Sequence, residues 1–181
     1  MKKFLGTLLI LLVIVSCTDM KVKDLEDINA MEKNLFDSLT LTPNIAKADS
    51  LVNAYLAFAK KYPQDSNTVN FLFKAAEIKS NIGNPAESIT ILEGIINNYG
   101  DHKLIPTVMH YEGFLYEERI QDTAKAHEVY QKLIDKYPNS ELAESAKACI
   151  QNLGKTPEEI IRGFEEQQNK IDSAANTAVK N

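Results

Sequence analysis

Residues 126–140 read Ala-His-Glu-Val-Tyr-Gln-Lys-Leu-Ile-Asp-Lys-Tyr-Pro-Asn-Ser. Ala126, Tyr130, Leu133 and Ile134 recur at helical spacing, and Tyr137-Pro138 ends the run because proline cannot continue a helix. Two earlier runs end in the same way, at Tyr62-Pro63 and Tyr99-Gly100, so the tyrosines stand 37 and 38 residues apart. Helical segments repeating at that period imply stacked helix pairs rather than one closed globule.

Composition agrees. The 181 residues are 44% hydrophobic, enough for a real core, and seven Gly with six Pro are too few for an all-β chain of many tight turns. Ala, Leu, Ile, Lys and Glu favour helix. The formal charge is −5, and loss of Lys2 and Lys3 with a leader would take it near −7. Such a chain lacks the basic face that nucleic-acid binding requires, so no nucleic-acid partner is expected.

The N-terminus carries the most specific signal. Lys2-Lys3 precede a twelve-residue apolar run, Phe4 to Val15. At 1.5 Å per residue the run reaches roughly 18 Å, short of the ~30 Å hydrocarbon core. It therefore reads as the apolar stretch of a signal peptide over 1–16. Ile14-Val15-Ser16-Cys17 resembles a bacterial lipobox, which implies lipidation at Cys17, cleavage before it and a membrane anchor. One acyl chain holds only marginally, so stable anchoring needs several. The alternative is an ordinary secretory leader with a chance cysteine. With Cys17 lipidated only Cys149 remains, and no intramolecular disulfide can form.

Beyond a tether at 17–23, the pattern predicts a helical domain over 24–170 and a flexible tail over 171–181. The first helix is expected from Asp24 to Leu39. Thr42-Pro43 starts the second, with Thr42 as cap, and that helix runs to Pro63. The third spans Ser66–Ile82 and is apolar on two sides. Gly83-Asn84-Pro85 stops it and starts a fourth that ends at Gly100. The fifth begins between Lys103 and Pro106 and runs to Arg119, the sixth follows Gln121-Asp122-Thr123, and the seventh spans Ser140–Leu153. Thr156-Pro157-Glu158-Glu159 caps an eighth, in which Ile160, Ile161 and Phe164 form one stripe to be buried.

Aligned, the second helices of the pairs share one pattern. Leu51, Tyr55, Phe58 and Pro63 match Ser88, Leu92, Ile95 and Gly100, and then Ala126, Tyr130, Leu133 and Pro138. This resembles the second helix of a tetratricopeptide repeat, and Gly113-x-x-Tyr116 resembles the Gly-x-x-Tyr of its first helix. The units exceed the family's usual 34 residues, with the excess between the proline and the next helix. That long form, with Tyr137-Pro138-Asn139-Ser140 followed by Ala143 and Ala146, is similar to a subgroup found in outer-membrane assembly lipoproteins and the Tol–Pal-associated periplasmic protein. The resemblance implies an all-α, right-handed superhelix of three to four antiparallel helix pairs that binds proteins or peptides and has no chemistry of its own.

No catalytic constellation stands out. His102, His110 and His127 lack His-x-x-x-His or Glu-x-x-His spacing, so no metal and no cofactor are expected. Cys149, aligned with Ala75 by laying Ser140 on Ser66, reads as a packing residue, with no His or basic residue placed to lower its pKa. By the register of the resembled fold, the groove would be lined by Asn70, Phe73 and Glu77 in one unit and Thr107, His110, Phe114 and Glu117 in the next. Phe73 and Phe114 are anchors if exposed and core if wedged between units. The reading is an adaptor: an envelope lipoprotein, lipid-anchored at the outer membrane and facing the periplasm, that binds an envelope protein or peptide segment. The alternative is an accessory subunit of a complex that processes envelope glycan or cell wall. The oligomeric state stays open.

Overall fold

The structure, a computed structural model, describes residues 19–35 and 44–178. The leader, Cys17, Phe36, Leu39, Thr42 and Pro43 lie outside them. Every described residue belongs to a helix or to a turn between helices. The helices are α1 (19–35), α2 (Ile45–Lys61), α3 (Thr68–Asn81), α4 (Pro85–Asn98), α5 (Ile105–Phe114) continued by a π-helical segment (Leu115–Ile120), α6 (Thr123–Lys136), α7 (Glu141–Asn152) and α8 (Pro157–Ala178). Two compact units divide between Val108 and Met109.

Three expectations about ends are corrected. α1 is already helical at Asp19, where a tether was expected. The cap of α2 is Asn44, whose side chain accepts from the Lys47 amide at 3.1 Å. α8 continues to Ala178, beyond the expected onset of fraying. At Thr156 the expectation holds: its amide donates to Glu159 and its hydroxyl accepts from the Glu159 amide, a reciprocal capping box.

The tyrosine that ends each second helix has one structural job, repeated three times. Tyr62, Tyr99 and Tyr137 each donate a last amide back into the helix and sit at φ near −130°. The residue before a proline is pushed out of helical geometry, and Tyr62 and Tyr137 precede one. Two turns follow in series. The carbonyls of Tyr62, Tyr99 and Tyr137 accept from Asp65, His102 and Ser140, whose carbonyls accept in turn from Thr68, Ile105 and Ala143. The same three residues also turn their side chains back, accepting from the amides of Asn67, Leu104 and Leu142. The residues in excess of the usual repeat form this double turn. The hydrogen bonds also correct one alignment: Ser140 superposes on Asp65, not Ser66, so Cys149 corresponds to Lys74 rather than Ala75.

In the first unit, Ile28, Leu51, Val52, Tyr55, Phe58, Phe71 and Ala75 form the core. Tyr55 stacks on Phe71 at 5.0 Å, and Phe58 meets the same ring edge-on at 5.0 Å. Such ring pairs add about 0.5–1.5 kcal/mol beyond burial. α1 is tied to α2 and α3 by charged groups on one face. Asp24 accepts from Lys61 at 2.7 Å and from the Tyr62 hydroxyl at 2.9 Å, and Glu32 accepts from Lys74 at 2.8 Å and from the Tyr55 hydroxyl. α3 and α4 close on each other through Ser88, whose buried hydroxyl donates to the Ala76 carbonyl at 2.7 Å.

In the second unit, Leu115, Val129, Tyr130, Leu133, Ala143 and Ala146 are buried. Gly113 lies against the Tyr130 ring. α8 departs from expectation, since Ile161, Phe164 and Ile171 are exposed and Ile160 alone of its expected stripe is half-buried.

The π-helical segment explains why the spacing changes from 37 to 38. Thr68, Phe71 and Ala76 correspond to Ile105, Val108 and Gly113 at an offset of 37. Ser88, Leu92 and Ile95 correspond to Ala126, Tyr130 and Leu133 at 38, and all six are buried. One residue has therefore been added between Gly113 and Ala126. A π-turn is how a helix absorbs a single insertion without unwinding, and Leu115–Ile120 lies in that interval. Gln121 then takes a left-handed conformation (φ 62°), where the first repeat has Gly83 (φ 88°).

Candidate protein-binding surfaces

The seven residues singled out by register fall into two sets. Asn70, Phe73, Glu77 and Thr107 belong to the first unit, and His110, Phe114 and Glu117 to the second. At an offset of 37, Glu77 corresponds to Phe114, and Glu117 stands at the position of Ser80.

On α3, Asn70, Phe73 and Glu77 share one face. Asn70 is exposed, while Phe73 and Glu77 are half-buried. Thr107, in the first turn of α5, is half-buried. Glu77 opens on a hollow of about 300 Å³ lined by Glu32, Leu51, Tyr55, Lys74, Glu77, Ile78 and Asn81. Its two carboxylates differ. Burial pushes Glu32 up, but hydrogen bonds from Lys74 and Tyr55 and the Lys74 charge outweigh it, leaving the pKa below the usual carboxylate range. Burial pushes Glu77 up, and the Lys74 charge only partly offsets it. Among the described residues, no hydrogen bond or ion pair reaches the Glu77 carboxylate. The contribution of Glu32 from α1 was not legible in the repeat pattern, because α1 lies outside it.

In the second unit, Phe114 is 36% exposed and stacks on Tyr111 at 6.0 Å. At that exposure it is not a wedged core residue. His110 and Glu117 turn instead toward Tyr130. The His110 ring lies 5.6 Å from that of Tyr130, and its Nε2 shares a hydrogen bond of 2.9 Å with Ser145 Oγ. The Tyr130 hydroxyl donates to Glu117 at 3.0 Å and lies beside Cys149.

Burial, Cys149 and Glu117 together hold the Tyr130 phenol neutral. Burial lowers the pKa of His110. Cys149 is raised by burial and by the Glu117 and Glu118 charges, against the opposing effect of the Tyr130 hydroxyl. A thiol shifted upward is a poor nucleophile. Ser145 has His110 beside it, but among the described residues no carboxylate orients the imidazole, and a nucleophile–base pair needs that third group. Tyr130, Ser145 and Cys149 were missed as members of this cluster. Only the contact between α6 and α7 brings them together.

Among the described residues, no three His, Cys, Asp or Glu side chains could hold a metal ion. His102 is engaged in its turn, with Nδ1 accepting from the Leu104 amide.

Paired antiparallel helices, small residues at their crossings and a regular Tyr-ended turn define a helical-repeat protein. Residues 71–102 and 107–140 match the tetratricopeptide repeat family model, a repeat that generally mediates protein–protein binding. No curated protein matches the chain.

Proposed function

We propose that the protein is an adaptor of the bacterial envelope, held to a membrane by acyl chains on Cys17, whose helix pairs dock a segment of a partner protein. The observation that carries the binding role is the pair of matched repeats, together with solvent-facing Asn70 and Phe114 on their first helices. The anchor rests on the sequence of the leader: Lys2-Lys3, the short apolar run and Ser16-Cys17. An outer-membrane position facing the periplasm is part of the same reading and rests on the long form of the repeat, the leader speaking only for a membrane anchor.

Two measurements test this reading. Affinity capture from detergent-solubilised membranes is expected to recover one stoichiometric protein partner. Recovery of none, alongside specific retention on isolated cell-wall glycan, would replace the adaptor with a glycan-binding role. Cys17→Ala is expected to release the protein from the membrane fraction. Continued sedimentation with membranes would remove the lipid anchor from the account.

A further inference from the structure

The hollow beside Glu77 is built for more than packing. It combines an apolar wall (Leu51, Ile78 and the Tyr55 ring) with Asn81 and three charged groups. Lys74 and Glu32 neutralise each other at 2.8 Å. The Tyr55 hydroxyl is committed to the same Glu32 oxygen. What remains, at the edge of the apolar wall, is one half-buried carboxylate that no hydrogen bond or ion pair reaches among the described residues, the nearby Lys74 being paired with Glu32.

At about 300 Å³ the space is at the small end of ligand sites, suited to one extended side chain rather than a cofactor. A second hollow on this unit differs in this respect: there Asp24 is already engaged by Lys61 and Tyr62.

We infer that this hollow is a specificity pocket for an arginine or lysine side chain of the bound segment, its stem against Leu51 and Ile78 and its cationic head on Glu77. The inference rests on the protein-docking reading and adds to it the chemistry of the anchor. Arginine suits the site best, because a planar guanidinium can meet the carboxylate through two hydrogen bonds and is weakly hydrated. The pairing gives the half-buried carboxylate a direct counter-charge, where Lys74, already paired with Glu32, only partly offsets its burial. Burying an unpaired carboxylate is otherwise unfavourable, and such a site rejects neutral isosteres strongly.

The experiment is a titration of the full chain with n-butylguanidinium chloride, followed by amide NMR. N-butylurea serves as the neutral isostere and Glu77→Gln as the variant, its fold checked by circular dichroism. The expected result is saturable shifts confined to Tyr55, Lys74, Glu77, Ile78 and Asn81, at least tenfold weaker binding in Glu77→Gln, and no saturable response to N-butylurea. Absence of shifts at these residues, an equal response to N-butylurea, or unchanged affinity in Glu77→Gln would overturn the pocket. Failure of the docking reading has a different signature: butylguanidinium binds as expected while affinity capture yields no partner.

Discussion

Gly113 and Tyr130 are packed so closely that a Cβ at position 113 would fall 2.5 Å from Cε1 of the Tyr130 ring. The first repeat has Ala76 and Leu92 at these places, a larger residue facing a smaller one. The two repeats thus divide the same space differently across the helix crossing. The second gives the room to an aromatic ring whose hydroxyl reaches Glu117.

Gly113→Ala should therefore destabilise the second unit by about 1–3 kcal/mol, the range for overpacking a tight contact, despite the better helix propensity of alanine. Tyr130→Leu should also destabilise, through lost burial. Together the two should cost less than their sum by about 1 kcal/mol or more, because leucine vacates the space the new methyl needs. Urea unfolding of the two single variants and the double variant checks this. Strict additivity would mean that the close approach is not what selects glycine.

The π-helical segment makes a second prediction. Deleting the exposed Glu118 should return Leu115–Ile120 to α-helix and restore the 37-residue offset of the preceding repeat. The cost should stay below about 2 kcal/mol. The same deletion at exposed Glu93 in α4 has no spare turn to consume. It rotates fully buried Ile95 away from the core, and should cost at least as much as a buried Ile→Ala change, about 2–5 kcal/mol. Equal losses at the two sites would refute the single-insertion account.

Glu77→Gln should stabilise the fold while removing the cation site. Burial raises the Glu77 pKa from its ordinary 4.5. A carboxyl raised in the folded state binds more protons than in the unfolded chain. Its contribution is therefore fully present below 4.5 and is lost as pH climbs through the raised value. The facing groups are Glu32, Tyr55 and Lys74, and Glu32 titrates the opposite way, losing stability as pH falls through its lowered value. At pH 7 the variant should be more stable than wild type by less than about 1 kcal/mol, given the solvent that a half-buried carboxyl still sees. The difference should vanish toward pH 4. Denaturant midpoints at the two pH values decide this, and a variant less stable at pH 7 would contradict it.

The repeat itself was legible in the sequence because its helix-crossing residues are periodic. Leu51, Tyr55 and Phe58, then Ser88, Leu92 and Ile95, then Ala126, Tyr130 and Leu133 are all buried. The turn after each tyrosine was legible in its length, but its hydrogen bonds were not. Asp65, His102 and Ser140 share an acceptor role while sharing no residue type. The one-residue offset error at Cys149 came from matching serine to serine there. The Glu77 hollow was hidden for another reason: α1, which brings Glu32, carries no repeat signal. The stripe of α8 could be read, but periodicity shows only that residues share a face, and the structure leaves Ile161 and Phe164 exposed.

The central claim is that the first helices of the repeats carry the docking face. It is tested most directly by placing a photoreactive amino acid singly at Asn70 on α3 and at Glu93 on α4, both exposed, and irradiating intact native cells. The account predicts one discrete protein adduct from position 70 and none from position 93. Equal adducts from both positions, or an adduct from position 93 alone, would contradict it.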